Sequence, residues 1–589
     1  MRLIITALVA VVLTACTATP DNRQSATEAN ADQRYEKLAD SIWTGMKNLT
    51  PGNTGDDRGK LTDMSPAAVA MRAERQRVWL QQLNEVETAA LSEQNQINHA
   101  MLSYRLKNNV DSDRYLEYLQ PLNAEGGFHS YLAFTARNAN LRTAEDYSFY
   151  LDKLAAIPAY MRQQTDWLRT GLEQGYSQPK AAMAGFEESI LAFIVQDPKE
   201  SVFYQPLSTK PEHIDDDTWL TLQNRAVTII DNEILPAYQA FFDYMVREYL
   251  PGSRDTIGAS ELPNGDEYYQ NRIKHFTTTD YTAEEIHEIG VAEVKRIRND
   301  MAEVIEKTGF VGSFDAFLDF LREDERFYAE TPEELLKEAA FIAKKMDGEL
   351  PKFFKKMPRQ PYGIAPVPAE IAPKYTTGRY AGSSRDDRAG FYWVNTYALD
   401  RRPLYQLEAL TLHEAVPGHH LQIALARELE GLPEYRRSTY ISAFGEGWGL
   451  YAEHLGTEAG FYQDPYSDFG RLSYEMWRAA RLVVDTGMHA MGWSRERAIE
   501  FMASNTALSM HNVTTEIDRY ITWPGQALSY KLGEIVIKRL RAEAEQALGA
   551  DFDIREFHDV VLGNGSIPLD VLEQQVRDWI DSQVQEAKA

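Results

Sequence analysis

The chain has 589 residues, 44% of them hydrophobic and 25% charged, ordinary values for a folded protein with a large core. Its formal net charge of −27 argues against nucleic-acid binding, since tracking a phosphate backbone needs a basic stripe. The single cysteine, Cys16, excludes any intramolecular disulfide.

First in chain order come a short positive start, Met1-Arg2, the apolar run LIITALVAVVL (Leu3 to Leu13), and LTAC, which ends at Cys16. The run is too short to span a bilayer and has the layout of a secretory signal peptide. LTAC resembles the bacterial lipobox, whose cysteine is lipidated and becomes the mature N-terminus. Residues 1–16 are therefore expected to be a lipoprotein signal with Cys16 as the lipidation site, the alternative being a plain cleaved signal. Thr17, where an aspartate would retain enteric lipoproteins at the inner membrane, favours the outer membrane of a bacterial envelope, facing the periplasm. Residues 17–33, TATPDNRQSATEANADQ, are small and polar and read as a flexible tether.

Beyond the tether the pattern is mostly helical. Ala68 to Leu91 and Thr282 to Gly309 carry apolar residues three and four apart. The second stretch opens with Thr282 and Glu285 in capping-box spacing and stops at a glycine. A Pro-, Gly- and Asp-rich interruption, Glu248 to Tyr269, divides an N-terminal helical lobe (34–250) from a C-terminal lobe (251–589). A second interruption, Arg359 to Gly390, has prolines that forbid helix, and it leads into FYWVNTY (Phe391 to Tyr397), which reads as a strand.

HEAVPGHH (His413 to His420) then departs from the His-Glu-x-x-His pattern, in which two histidines one helical turn apart grip a zinc ion. On a regular helix His413 and His419 would lie about 240° apart around the axis, and His413 and His420 roughly 10 Å apart along it. Neither pair can close on one ion without distortion. Pro417 and Gly418 supply it: looped out as a two-residue insertion, they bring His419 to the second ligand position. His420 is left as an alternative ligand or a supporting group, and Glu414 is the candidate general base.

ISAFGEGWGLYAEHLGTEAG (Ile441 to Gly460) lies where a third, glutamate ligand is expected. Phe444, Trp448, Tyr451 and Leu455 form its core-facing stripe, with Glu446 and Glu453 on the other side. Gly445, Gly447 and Gly449 surround Glu446 at a cost in helix stability, which a close-approaching backbone or metal would explain. Glu446 is thus the third-ligand candidate and Glu453 a group that orients a histidine or a solvated side chain. Near the C-terminus, Asp518 to Glu534 gathers Arg519, Tyr520, Gln526, Tyr530 and Lys531 around a Pro-Gly step. Tyr530, and after it Tyr520, can donate to the oxyanion formed in amide hydrolysis. Asn395, Arg478, Arg481, Arg519 and Gln526 are candidate substrate-binding residues.

HEAVPGHHLQ, GEGWGLYAE, RAARLVVDTGMHAMGW (Arg478 to Trp493) and RYITWPGQALSYKLG (Arg519 to Gly533) together resemble the bacterial domain-of-unknown-function family 885. That resemblance extends over most of the mature chain. It implies a mainly α, zincin-like (gluzincin) metallopeptidase fold with a small β element before the metal-binding helix. It also implies His413, His419 and Glu446 as metal ligands and Glu414 as base.

The expectation is a Zn2+-dependent hydrolase, most simply a peptidase acting on short peptides and held to the membrane by an N-terminal lipid. Manganese, cobalt or iron would also suit these ligands. The alternatives are a non-catalytic peptide-binding lipoprotein on a protease-like fold, and a metal-dependent hydrolase of another amide or ester. The pattern does not specify the oligomeric state.

Overall fold

The computed structural model describes residues 20–587 except 53–54, 138, 370, 373–374 and 384–387; the signal segment and Cys16 lie outside the described residues. Helix accounts for 71% of residues and strand for 4%, so the protein is mainly α.

The first helix, α1 (Pro20–Lys47), begins inside the polar stretch read as a tether. Pro20 stands at its first position, where a missing N–H costs nothing, and the residues after it are mostly helix formers. From residue 31 onward Ala31, Tyr35, Ala39 and Ile42 recur at helical spacing, and all four are buried. Polar composition hid an amphipathic helix.

A two-stranded hairpin, β1 (Leu122–Asn123) and β2 (Gly126–Gly127), stands in the first half of the chain. Residues between Leu122 and Tyr249 form a core of their own. The largest core, in contrast, joins buried residues of Ala31–Leu106, with Ala182, to residues between Ala329 and Ile580. The cores are therefore partitioned differently from the chain-order division at residue 250: buried residues between Ala31 and Leu106 pack with the C-terminal half.

In that half, α2 (Ala283–Thr308) starts with the expected capping box, Glu285 N–H donating to Thr282 Oγ1 (3.2 Å) and Thr282 N–H to Glu285 Oε2 (2.9 Å). A three-stranded sheet follows, built from β3 (Tyr362–Pro366), β4 (Gly378–Ala381) and β5 (Gly390–Val394). Its order is β3-β5-β4, with β3 parallel and β4 antiparallel to β5. The Pro-rich interruption thus contributes two strands to the predicted β element.

The helices that carry the candidate site come next: α3 (Leu407–Glu414), α4 (His419–Glu428), α5 (Ser442–Glu458), α6 (Pro465–Ala490), α7 (Met510–Thr522) and α8 (Ser529–Leu548). α6 is buried along almost its whole length, and α2 lies against it at Gly290, close to Leu482 and Val483. No helix among the described residues is long and apolar enough to cross a membrane.

Candidate metal centre

The helix carrying His413 stops at Glu414, and a new one starts at His419. Between them Gly418 N–H donates to Leu412 O (3.0 Å), a span two residues longer than the α-helical one. The Trp448 indole N–H donates to Pro417 O (2.8 Å), satisfying a carbonyl that the break exposes. The Pro417-Gly418 insertion expected from sequence is a full break, and it turns His419 back toward His413. Their rings meet nearly perpendicular, with centroids 4.7 Å apart.

Glu446 on α5 closes the group. Its Oε2 lies 3.6 Å from His413 Nε2 and 3.3 Å from His419 Nε2. One donor atom from each of His413, His419 and Glu446 lies within 4.8 Å of the others, an arrangement able to hold a metal ion. The glycines of α5 explain themselves by contact. A Cβ on Gly449 would fall 2.6 Å from His413 Cε1, and one on Gly447 would fall 2.5 Å from the Gly533 backbone of α8. Bare backbone here lets α3 and α8 approach Glu446's helix closely.

Surrounding groups hold the three in place. Glu453, one face-repeat along α5 from Glu446, accepts a 2.8 Å hydrogen bond from His413 Nδ1, and Arg478 Nη2 lies 3.6 Å from the same carboxylate oxygen. Burial pulls the His413 pKa down, but Glu446, Glu453 and the charge of Glu414 outweigh it and raise it to about 9. Burial pushes the Glu446 carboxyl up, and His419 and His413 more than offset this, holding it well below the usual range. Glu414 accepts a 2.7 Å hydrogen bond from the backbone N–H of Tyr380 in β4. The small sheet therefore fixes the orientation of the candidate base.

Of the tyrosines, Tyr530 is half-buried, and its hydroxyl makes no hydrogen bond among the described residues. Tyr520 is a different case. It is buried, and its hydroxyl is held by Glu516 (2.5 Å), Arg481 Nε (2.6 Å) and the Trp477 indole N–H (3.1 Å). It is a network residue with no hydrogen left to offer an oxyanion. Asn395 is corrected likewise: its Nδ2 donates to the carbonyls of Ala372, Tyr375 and Thr376 (3.0 Å each), and its Oδ1 accepts from Tyr397 N–H. It is buried and ties residues 372, 375 and 376 to the end of β5, so its amide N–H groups are taken by its own scaffold. Arg478, turned toward Glu453, is a partner of the carboxylate that holds His413.

His420 lies outside the three-residue group. Its Nδ1 meets the Tyr380 hydroxyl at 2.9 Å, the Tyr362 and Tyr380 rings flank it, and burial lowers its pKa to about 4. Lys531 is buried in ion pairs with Glu475 (2.7 Å) and Glu534 (2.5 Å). Gln526 accepts from Arg519, which also lies 3.4 Å from Glu516; Arg481 contacts Glu516 at 3.1 Å. Sequence reasoning missed Tyr440, a residue 45% exposed whose hydroxyl donates to Glu446 Oε1 at 3.2 Å. It also missed Arg379, beside Tyr380 and within electrostatic reach of Glu414 and Tyr530. Nothing in their local spacing marks either residue.

Fold and site together define a mainly helical protein with a buried two-histidine, one-glutamate cluster and a further glutamate beside it. Residues 49–576 match the family described as "Bacterial protein of unknown function (DUF885)", and the chain belongs to that family. Among solved structures, it is similar to a Colwellia psychrerythraea protein described as a lipoprotein, with 27% identity and a TM-score of 0.85 over 96% of this chain and 100% of that one. It also shares its fold with a Shewanella oneidensis protein described as a lipoprotein of unknown function, at 17% identity and a TM-score of 0.71 over 92% of this chain and 99% of that one. No curated protein matches.

Proposed function

We propose that this protein is a zinc-dependent hydrolase of zincin-like type, acting on short peptides and lipid-anchored through Cys16 at the periplasmic face of the outer membrane. The observation that carries the reading is the convergence of His413, His419 and Glu446 next to Glu414. Their geometry fits the ion. Ligand atoms roughly 2.0–2.2 Å from a tetrahedral zinc stand about 3.3–3.6 Å from one another, and the two nitrogen-to-Glu446 distances are 3.3 and 3.6 Å. Two imidazoles and a carboxylate are also a donor set that zinc takes in hydrolases with an open fourth position.

Bound there, zinc supplies Lewis-acid chemistry that polarises a carbonyl and makes water acidic near neutral pH. The chain supplies the rest. Glu414, oriented by Tyr380 N–H, accepts the proton of the attacking water and passes it to the leaving amine. Tyr530, whose hydroxyl makes no hydrogen bond among the described residues, donates to the carbonyl oxygen as negative charge develops on it. Glu453 keeps His413 turned toward Glu446. The envelope location is supported by the similar structures, both described as lipoproteins.

The test is hydrolysis of a mixed peptide library by zinc-loaded protein, with Glu414→Gln as control. Wild type is expected to cleave, and the variant to lose turnover by a factor of ~100 or more while retaining its zinc. A folded, zinc-loaded protein that cleaves no peptide would refute the peptidase reading, and an active Glu414→Gln variant would remove Glu414 from the role of base.

A further inference from the structure

Arg481 and Arg519 bring two guanidinium charges into the interior and share one largely buried carboxylate. Glu516 Oε2 lies 3.1 Å from Arg481 Nη2 and 3.4 Å from Arg519 Nη1. Their other hydrogen-bond partners are uncharged: Arg481 Nε donates to the Tyr520 hydroxyl and Arg519 Nη2 to Gln526. Asp485 is also within electrostatic reach of both, but burial raises its pKa to about 7, so at neutral pH it offsets them only in part. The remaining charge is faced by Glu125, whose side chain is 48% exposed at the tip of the β1–β2 hairpin, 3.5 Å from Arg519 Nε. Arg481 Nη1 is buried and has no hydrogen-bond partner among the described residues. A buried cationic donor without an acceptor is costly unless something else supplies one.

The place of this surplus matters. The Tyr530 ring lies 4.4 Å from the Arg481 guanidinium, and Arg519 is within electrostatic reach of the same tyrosine, the one assigned to the oxyanion. Arg379, on the strand that fixes Glu414, is within electrostatic reach of both Tyr530 and Glu125. The hairpin that carries Glu125 is fastened to the end of α7, Ala124 N–H donating to Thr522 Oγ1 at 2.9 Å. A peptide carboxylate placed beside Tyr530 would stand next to positive charge that the protein's own carboxylates offset only in part.

We propose that Arg481 and Arg519 form a carboxylate subsite beside the reaction centre, that Glu125 is the internal carboxylate a substrate displaces, and that the substrates are peptides anchored by their C-terminal carboxylate. Planar guanidinium forks match a carboxylate well. The proposal rests on the peptidase reading and makes the activity an exopeptidase one, trimming near the C-terminus.

The experiment measures equilibrium binding to zinc-loaded Glu414→Gln protein of three N-acetylated tetrapeptides: a free acid, its C-terminal amide, and an amide with glutamate as its last residue. The free acid is expected to bind at least about tenfold more tightly than either amide. Adding Arg519→Gln should bring that ratio close to one without weakening amide binding. Adding Glu125→Gln, a change on an exposed hairpin tip, should tighten acid binding several-fold by removing the competitor. Equal binding of acid and plain amide overturns the subsite even if wild type cleaves peptides. Tight binding of the glutamate-bearing amide overturns the terminal-carboxylate assignment. Acid-selective binding with no cleavage of any peptide by wild type supports the subsite and counts against the hydrolase reading alone.

Discussion

His419 and His420 are neighbours in sequence with unlike surroundings. His419 Nε2 faces the Glu446 carboxylate at 3.3 Å, whereas His420 is enclosed by Tyr362 and Tyr380 and hydrogen-bonded to the latter. Substituting each by alanine should separate them. Zinc at 100 times its Kd stabilises a folded protein by about 2.7 kcal/mol, so wild type and His420→Ala should both show a zinc-dependent rise in thermal midpoint. His420→Ala starts lower because it loses buried packing. His419→Ala should show no rise, and a zinc-dependent rise there would sink the assignment. Much of this site was legible in the sequence because its chemistry is concentrated in two short segments. The pattern His-Glu, Pro-Gly, His and the glycines around Glu446 carry local reasons for their presence. Tyr440, Tyr380 and Arg379 were not legible, because they reach Glu446, Glu414 and Tyr530 through contacts that no periodicity encodes. Tyr520 and Asn395 failed for the opposite reason. A polar residue in a suggestive place can be fully used by its own scaffold, and only the hydrogen-bond partners reveal it.

At the scale of elements, α5 and α8 pack backbone to backbone, and α6 ties the turn before α8 to the rest. The closest approach is at Gly447 and Gly533, where a Cβ on Gly447 would fall 2.5 Å from main-chain atoms that cannot rotate aside. Gly447→Ala should therefore force the helices apart, costing about 1–3 kcal/mol of stability as overpacking does, and shift Glu446, its immediate neighbour. Unfolding in urea and zinc titration would both register it; an unchanged zinc affinity would show that α5 can move without disturbing its ligand. In α6, Asp485 accepts hydrogen bonds from Tyr269 (2.6 Å) and Gly525 N–H (3.1 Å), holding the turn that leads to Tyr530. Burial raises its pKa from 3.8 to about 7. Between these values the folded protein keeps a proton that the unfolded chain has released, so this group's contribution falls as pH rises from about 4 to about 7. The gap corresponds to at most ~4 kcal/mol. Measured against Asp485→Asn, wild-type stability should decline across that window, and a difference independent of pH would mean that Asp485 is ionised throughout.

On the scale of the whole molecule, the N-terminal helix is part of the frame that holds the site. Ala31, Tyr35, Ala39 and Ile42 are buried in the largest core, together with residues from α3, α5 and α8. The Tyr35 and Tyr435 hydroxyls meet at 3.1 Å, and Trp43 and Lys47 both reach Glu434, at 3.0 and 2.7 Å. These contacts brace the segment between α4 and α5, the connection that ends in Tyr440 and the start of Glu446's helix. The mainly helical character was legible in apolar residues three and four apart, but this bracing was not. Its partners are some 400 residues apart in the chain, and the helix's polar opening outweighed its later apolar face. A variant lacking residues 1–47 loses the burial of a tyrosine and an isoleucine at about 1.5–3 kcal/mol each, with two alanines besides. It should unfold at markedly lower urea and bind zinc more weakly, because the segment leading to Glu446 is no longer braced. A variant lacking residues 1–19 keeps every one of these contacts and should match the full chain in both measurements. Equal urea midpoints for the two truncations would show that α1 only rests on the core, and would return the segment to the role of a tether.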